Sequence, residues 1–298
     1  MSDNESRRLL LAEVFGEERF RPPYLDWQYR QNPDGQEIAI DEISAGHCRG
    51  HYAVIPQLWS NGTCVARLAL SLNTAIGEEF RGKGLFTTLA DAAYRHAEAE
   101  GITGIVGVAN GNSTPGFLKR LGFKLIGPMP VQVGLTFPWA FQAKSYEATA
   151  FFLESHTFAD ICASISQSGW QVVWNIDRLR WRLSSPHARY HIHVTPDGIG
   201  ITRCVQHAGL PFTALLKVLP RHSAPTVKIG PILRAAAWVH RTPLFLHAGW
   251  NNSIRITGIA VPARLKPSPL NLIYKSLREN EPIFSGQRHF EFLDFDAY

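Results

Sequence analysis

The sequence predicts a two-lobed α/β (α+β) protein, and three observations carry that reading. Two alternating strand-like runs, residues 51–59 and 64–76, flank Asn61-Gly62, the strongest short hairpin signal in the chain. The second run enters a glycine-rich turn and then an apolar repeat of helical period over residues 85–100, so sheet and helix alternate within one unit. Finally, Asp26-Trp27-Gln28-Tyr29-Arg30-Gln31-Asn32-Pro33 finds a loose echo in Arg180-Trp181-Arg182-Leu183-Ser184-Ser185-Pro186, each ahead of a strand run. A chain of 298 residues, 45% hydrophobic, has the material for two cores.

Taken in order, residues 5–15 place Leu9, Leu10, Ala12, Val14 and Phe15 among charges, which predicts an amphipathic helix. A second short helix over 23–30 ends at the breaker Asn32-Pro33-Asp34-Gly35. Residues 37–44 alternate as a half-exposed strand. On the run 64–76, Leu68, Leu70 and Leu72 face one way and Arg67, Ser71 and Asn73 the other, which predicts a core face and a cleft face. The helix that follows repeats Leu85, Leu89, Ala92, Ala93 and Ala97 and stops near Gly101. A buried strand over 105–109, the loop Asn110-Gly111-Asn112-Ser113-Thr114-Pro115, a short helix ending in Leu121-Gly122-Phe123, and a closing strand over 131–134 complete a first lobe of residues 1–134.

Periodicity lapses over 135–155, where the crossing between lobes is expected. The second lobe, 156–298, reads as a helix over 158–168, strands over 190–194, 199–205, 212–219 and 244–247, a helix within 227–240, and a last strand carrying Asp294 and Asp296 on one face.

Four scattered cysteines, Cys48, Cys64, Cys162 and Cys204, have neither the spacing of a metal site nor that of a disulfide framework, and reduced thiols are expected. His191 and His193 share a strand face, but no third ligand follows from spacing, so no metal is expected. The first residues lack a signal-peptide core and no run reaches the length of a membrane span, from which a cytoplasmic protein is expected. A formal charge of +5 without a dense Lys/Arg run argues against nucleic acid and suits a polyanionic small ligand.

The stretch Glu78-Glu79-Phe80-Arg81-Gly82-Lys83-Gly84-Leu85-Phe86 sits between strand and helix, where unpartnered amides and the positive end of the helix dipole favour an anion. Arg81 and Gly84, with the Asn-rich loop and Leu-Gly-Phe ending downstream, resemble the GNAT acyltransferase superfamily. The resemblance covers residues 37–134, with Phe86 standing where the family has Gly or Ala. It implies a mixed, mostly antiparallel twisted sheet flanked by helices, and acetyl-CoA or another acyl-CoA as donor. By resemblance, the backbone of Thr74, Ala75 and Ile76 runs beside the pantetheine. Arg81, Gly82, Lys83, Gly84, Leu85, Phe86 and Thr87 face the pyrophosphate, and Asn112 flanks the other end of the cofactor.

Leu118 occupies the place of the Tyr that often serves the family as general acid, and residues 67–73 hold no carboxylate to act as base. Ser71 and Asn73, holding an ordered water, or His51, the nearest titratable group in strand order, are the catalytic candidates; a satisfied structural histidine is the alternative for His51. Tyr52, Asp294 and Asp296 are candidates for the acceptor side, although edge-strand charges explain the two aspartates as cheaply. The lobe over 156–298 has no Arg-x-x-Gly-x-Gly pattern, and Pro231 removes an amide at the corresponding turn, so a degenerate GNAT-like lobe without CoA is expected there. The resulting expectation is an N-acyltransferase acting on a primary amine of a small molecule, an amino sugar first. The alternative is an inactive module that senses CoA or a sugar. The sequence leaves the oligomeric state open.

Overall fold

The computed structural model describes residues 3–16, 20–139, 142–222, 224–266, 268–278 and 289–295. In chain order the first elements are α1 (Asp3–Phe15), α2 (Pro22–Tyr29), β1 (Ile38–Ser44), β2 (His47–Ser60), β3 (Val65–Ile76), α3 (Leu85–Ala99), β4 (Gly104–Ala109), α4 (Thr114–Arg120) and β5 (Lys124–Pro128). There follow β6 (Val131–Leu135), β7 (Lys144–Glu147), α5 (Ala150–Leu153), α6 (His156–Ala163), β8 (Gln171–Val172), α7 (Ile176–Leu183) and β9 (His191–Val194). The chain continues through β10 (Gly198–His207), β11 (Leu210–Pro220), α8 (Ile229–His240), β12 (Leu244–Asn251), β13 (Ile259–Ala260), β14 (Asn271–Ser276) and β15 (His289–Glu291).

Two compact units form. One comprises Met1–Trp59, Ala66–Pro128 and Ser268–Pro282; the other Ser60–Val65, Met129–Pro267 and Ile283–Tyr298. The chain thus leaves the first unit after Pro128, not after residue 134, and returns to it late. Each unit is a mostly antiparallel sheet flanked by helices, with the strand order β1-β2-β3-β4-β14-β5 in the first and β13-β6-β12-β11-β10-β9-β7 in the second.

The expected closing strand over 131–134 is where the sequence reading fails. β6 pairs with β12 in the second sheet, Val133 opposite Leu246, while β14 takes the place beside β4 in the first, Leu272 opposite Val108. A close side-chain fit accompanies the β14–β4 pairing: Gly104 leaves room for the Tyr274 ring, whose hydroxyl would lie 2.5 Å from any added Cβ. β6 thus joins the sheet built mainly from the second half of the chain, and β14 the sheet built mainly from the first.

The internal echo becomes an architectural repeat. In the first unit β2 turns back into β3, α3 crosses over, and β4 runs parallel to β3; in the second β10 turns back into β11, α8 crosses over, and β12 runs parallel to β11. α3 is long enough to make this crossover because its apolar positions fall on one face: Leu89, Ala90, Ala93 and Ala97 pack on Tyr52, Val54, Ala69 and Ile105. Burying a side chain of the size of Leu89 stabilises by about 1.5–3 kcal/mol. Gly101, at φ +81°, ends the helix.

Candidate functional site

The place where β3 parts from β4 organises the first unit. The parallel ladder covers Leu68 to Ser71, opposite Gly104 to Gly107, and β3 continues to Ile76 beyond it. At Asn73 the backbone turns into the left-handed region, φ +51°, which a short polar side chain such as Asn tolerates best among non-glycine residues. This breaks the period of two. Ser71 and Asn73, expected on one cleft face, go to different sides of the sheet. The Ser71 hydroxyl meets Tyr52 Oη at 2.8 Å in the cluster beneath α3, whereas Asn73 Nδ2 donates to Gln28 Oε1 at 2.6 Å and Tyr29 Oη at 2.9 Å on α2.

Beyond Ile76 a single 3-10 turn, Glu78–Phe80, leads to Arg81 and the start of α3. Gly82 (φ +77°) and Gly84 (φ +81°) both adopt left-handed backbone, and Gly84 is the helix N-cap with no side chain satisfying the first turn. Thr87 and Thr88 amides reach the Gly84 carbonyl, at 3.0 and 3.1 Å. Those of Leu85 and Phe86 precede the first intrahelical acceptor by construction. Gly82, Lys83 and Gly84 are exposed, and Arg81 lies exposed with Nε 3.3 Å from the Ile76 carbonyl. Phe86 keeps its amide at the helix start while its ring turns inward, edge-on to Phe117 at 5.4 Å; Gly116 makes this fit, since a Cβ there would stand 3.3 Å from the Phe86 ring.

Thr74 and Ile76 are half-buried and Ala75 is buried at the splayed end of β3. Asn112 is exposed; its neighbour Asn110 organises the loop, its Oδ1 accepting the amides of Asn112 and Ser113 at 3.0 and 2.9 Å. Leu118 packs against the core beside α3 and brings no proton donor.

His51 is fully buried, with Nδ1 2.5 Å from Asp41 Oδ1 and Nε2 2.9 Å from Tyr29 Oη. Burial holds its pKa below the ordinary range despite Asp41, so the ring is neutral. Burial raises the Tyr29 phenol and keeps it protonated. Burial also pushes Asp41 upward, but His51 and a two-bond contact from Arg7, at 2.8 and 2.6 Å, outweigh it and hold the carboxyl below its ordinary value. Tyr52 is fully buried, its pKa raised by burial to about 12, and its hydroxyl is engaged by those of Ser71 and Tyr94 rather than facing outward as an acceptor-side candidate would.

Sequence reasoning found His51 and Asn73 but missed Tyr29, Asp41 and Arg7, which come from three other elements. The alternating charge and apolar residues of β1 gave the one hint, since Asp41 faces inward where a strand with one wet face would put it outward.

In the second unit His193 and His240 are tied into the fold by hydrogen bonds. His193 Nδ1 meets Ser145 Oγ at 2.8 Å and its Nε2 meets Thr202 Oγ1 at 2.9 Å; Thr202 also meets His240 Nε2 at 2.8 Å. Burial lowers His193 to about 3 and His240 to about 4. Among the described residues no three His, Cys, Asp or Glu side chains converge as a metal requires, and no helix is long and apolar enough to cross a membrane.

Asp294, expected on a strand face, lies on the 3-10 turn Phe292–Asp294 and is 1% exposed. Its carboxylate takes Lys217 Nζ at 2.7 Å and Trp174 Nε1 at 2.9 Å. Glu291, bonded by His247 at 3.0 Å and Asn251 at 2.9 Å, approaches the same ammonium at 3.3 Å. Two carboxylates share one buried cation: burial raises Asp294, while Lys217 and the hydrogen bonds from His247 and Asn251 outweigh burial and lower Glu291. The spacing Glu291-x-x-Asp294 is that of a capping box, a signal a strand assignment overlooks. Asp296 lies outside the described residues.

A splayed β3/β4 pair running into a glycine-entered, uncapped helix defines a class of fold. The fold is that of the GCN5-related N-acetyltransferases, repeated in two units. Such an enzyme from Kribbella flavida is similar over 92% of this chain and 68% of its own, with a TM-score of 0.61 and 14% identity. A probable N-acyltransferase from Enterococcus faecalis V583 matches 92% of this chain and 70% of its own at TM-score 0.60 and 10% identity. Saccharomyces cerevisiae N-myristoyltransferase, solved with myristoyl-CoA bound, matches 91% of this chain and 79% of its own at TM-score 0.56 and 8% identity. No protein-family model matches the sequence, and no curated protein sequence matches it.

Proposed function

We propose that the protein is an N-acyltransferase that moves an acetyl or short acyl group from acyl-CoA to a primary amine of a small molecule, an amino sugar being the first class to test. One observation carries the reading: β3 loses its β4 partner after Ser71 and ends, one 3-10 turn later, at a helix whose first turn is entered through two left-handed glycines and flanked by Arg81 and Lys83. That arrangement suits a pyrophosphate on the amides of Gly82, Lys83, Gly84, Leu85 and Phe86 and the Thr87 hydroxyl, with the pantetheine along Thr74, Ala75 and Ile76 and Asn112 beside the far end.

Acyl transfer from a thioester asks for three things: the amine held against the carbonyl carbon, loss of its proton, and donors for the developing oxyanion. Backbone amides of the splayed β3 segment supply donors. Of the two strand candidates, Ser71 is turned to the α3 side and bonded to Tyr52, and Asn73, on the α2 side, is the one proposed to hold the amine or a water. His51, sealed between Asp41 and Tyr29, acts through its neighbours rather than by touching substrate. No metal is needed for this chemistry.

The second unit is proposed to bind no CoA. At the start of α8 the Asp197 carboxylate already accepts the Lys228 amide at 2.8 Å, and Pro231 has no N–H to offer, so a second anion meets a charge of its own sign. Four cysteines outside any disulfide suit the reducing cytoplasm proposed for the protein.

A second reading has one observation in its favour: Leu118 is packed into the core where a phenol is wanted, which suits a module that holds acyl-CoA without turnover. Calorimetric titration with acetyl-CoA, then assay of free thiol over glucosamine, putrescine and lysine, decides. Micromolar binding with amine-dependent thiol release is the expected result. Binding without release leaves the sensor reading, and no binding removes both.

A further inference from the structure

Hydrogen-bond directions beneath β3 can be assigned one after another from a fixed end. The Asp41 carboxylate only accepts, and Arg7 holds its Oδ2. The 2.5 Å contact at Oδ1 therefore places the ring proton of neutral His51 on Nδ1 and leaves Nε2 as a lone pair. Tyr29 must then donate its O–H to Nε2, at 2.9 Å, and its oxygen is left to accept from Asn73 Nδ2, at 2.9 Å. The other Asn73 N–H goes to Gln28 Oε1 at 2.6 Å, and Gln28 in turn donates its own amide to Tyr24 Oη at 3.0 Å, which fixes its orientation. Both Asn73 N–H groups are committed. Among the described residues no donor reaches its Oδ1, and that oxygen is not sealed from solvent.

The chain has a direction and a consequence. Each acceptor made more negative by its neighbour draws the next proton harder, so charge starting at Asp41 is passed as polarisation through imidazole, phenol and amide to the Asn73 carbonyl oxygen. An amide whose N–H groups both donate is a stronger acceptor at oxygen. This oxygen belongs to the left-handed residue two positions past the last β3–β4 pair, Ser71 opposite Gly107, and next to Thr74. Being open to solvent, this acceptor is within reach of an incoming N–H, while the rest of the network holds the amide in place.

We propose that the Asn73 side-chain oxygen receives an N–H of the acceptor amine and aims its lone pair at the thioester, and that Tyr29, His51 and Asp41 are positioning residues that set that amide. The substrate class is a primary amine bound through one N–H. This rests on the acyl-transfer reading above.

Two measurements on the full chain test it. In the unliganded protein, ¹⁵N spectra of His51 at pH 7 are expected to give the Nδ1–H tautomer with bare Nε2, and Tyr29→Phe to shift the Nε2 resonance; an Nε2–H tautomer or an imidazolium overturns the relay whatever becomes of CoA. In turnover with acetyl-CoA and the best amine among glucosamine, putrescine and lysine, Tyr29→Phe and Asn73→Ala are each expected to raise the amine KM about tenfold. Acetyl-CoA affinity is expected to stay within about twofold, and the double variant to be no worse than Asn73→Ala. Tyr29→Phe alone removes a single oxygen atom and keeps the test if Asn73→Ala does not fold. Additive effects, or equal losses in acetyl-CoA affinity, overturn the proposal. So does a wild-type protein that binds acetyl-CoA and consumes none of the amines, whereas a wild-type protein that binds no acetyl-CoA removes the acyl-transfer reading and leaves the relay to the tautomer measurement.

Discussion

The two strand-to-helix junctions, β3 into α3 and β11 into α8, are built on one plan and finished differently. In each, a parallel ladder stops and a buried polar residue stands two positions on: Asn73 past the Ser71–Gly107 pair, Lys217 past the Leu215–His247 pair. Asn73 is neutral, is held by α2 and keeps an open acceptor. Lys217 is fully buried, and Glu291 and Asp294 close over it. Downstream the first helix starts through two exposed glycines, while the second starts with an Asp197 carboxylate on its N-cap amide. The same topology thus has an exposed, uncapped helix start in one unit and is filled from within in the other.

The contrast is broken most forcefully at Lys217. Lys217→Ala leaves two carboxylates buried without their cation and is expected to cost about 3–5 kcal/mol, against about 1–2 kcal/mol for Asn73→Ala, whose partners are neutral. Urea midpoints of the two variants measure the difference, and equal losses would erase the distinction between a charged and a neutral plug.

Acid comes next. Burial depresses His193 to about 3, and His240 and His289 to about 4, so all three are neutral in the fold and take up protons on unfolding. Their contribution is complete above the ordinary histidine pKa of about 6.5 and is lost as pH falls toward 4, at about 1.4 kcal/mol per pH unit for each histidine. Denaturant titrations at pH 7 and 5, with hydrogen exchange to locate the loss in the second unit, check this. A flat profile would mean that these rings find new partners when charged.

At the open junction, Gly84→Val forces a β-branched residue to φ +81°, a strain of about 1–2 kcal/mol, with no atom within 4 Å for its Cβ to strike. Acetyl-CoA affinity is expected to fall by a factor of about 30 or more in calorimetry with the far-ultraviolet circular dichroism unchanged. Gly230→Ala, in α8, meets only the tip of Arg234 and is expected to leave that affinity as it was. The smallest effect is expected from Arg81→Gln: an exposed charge is screened by solvent, so a loss of about threefold at low salt that vanishes at high salt would fit, and a salt-independent loss would not.

Much of this fold is legible from local signals. Asn61-Gly62 marks the β2–β3 turn, the 85–99 periodicity marks α3, and Gly101 marks its end. What is not legible is partnership. Residues 131–135 and 271–276 are ordinary short strands, and nothing within either says which sheet it joins; the fit of Tyr274 over Gly104 is a long-range fact. At the site, the glycine turn declares itself through backbone needs, and Arg81 and Gly84 by type and spacing. Asn73 hides because its left-handed φ overturns the alternation from which its face is read, and Tyr29 and Asp41 because a relay is assembled from elements far apart in sequence. Asp294 misleads for the opposite reason: Phe292, Leu293 and Phe295 break the alternation of a strand and fit the 3-10 turn that buries it.

The exchange of β6 and β14 bears on how the chain comes off the ribosome. β4 and β5 are synthesised early, yet the strand that separates them, residues 271–276, emerges only after most of the second unit has been made. Until then β4 presents an unpaired, apolar edge, Ile105 and Val106 among its residues, to whatever is nearby. A polysome places nascent copies of the same segment side by side, so the interval between residue 109 and residue 271 is when this protein most needs a chaperone.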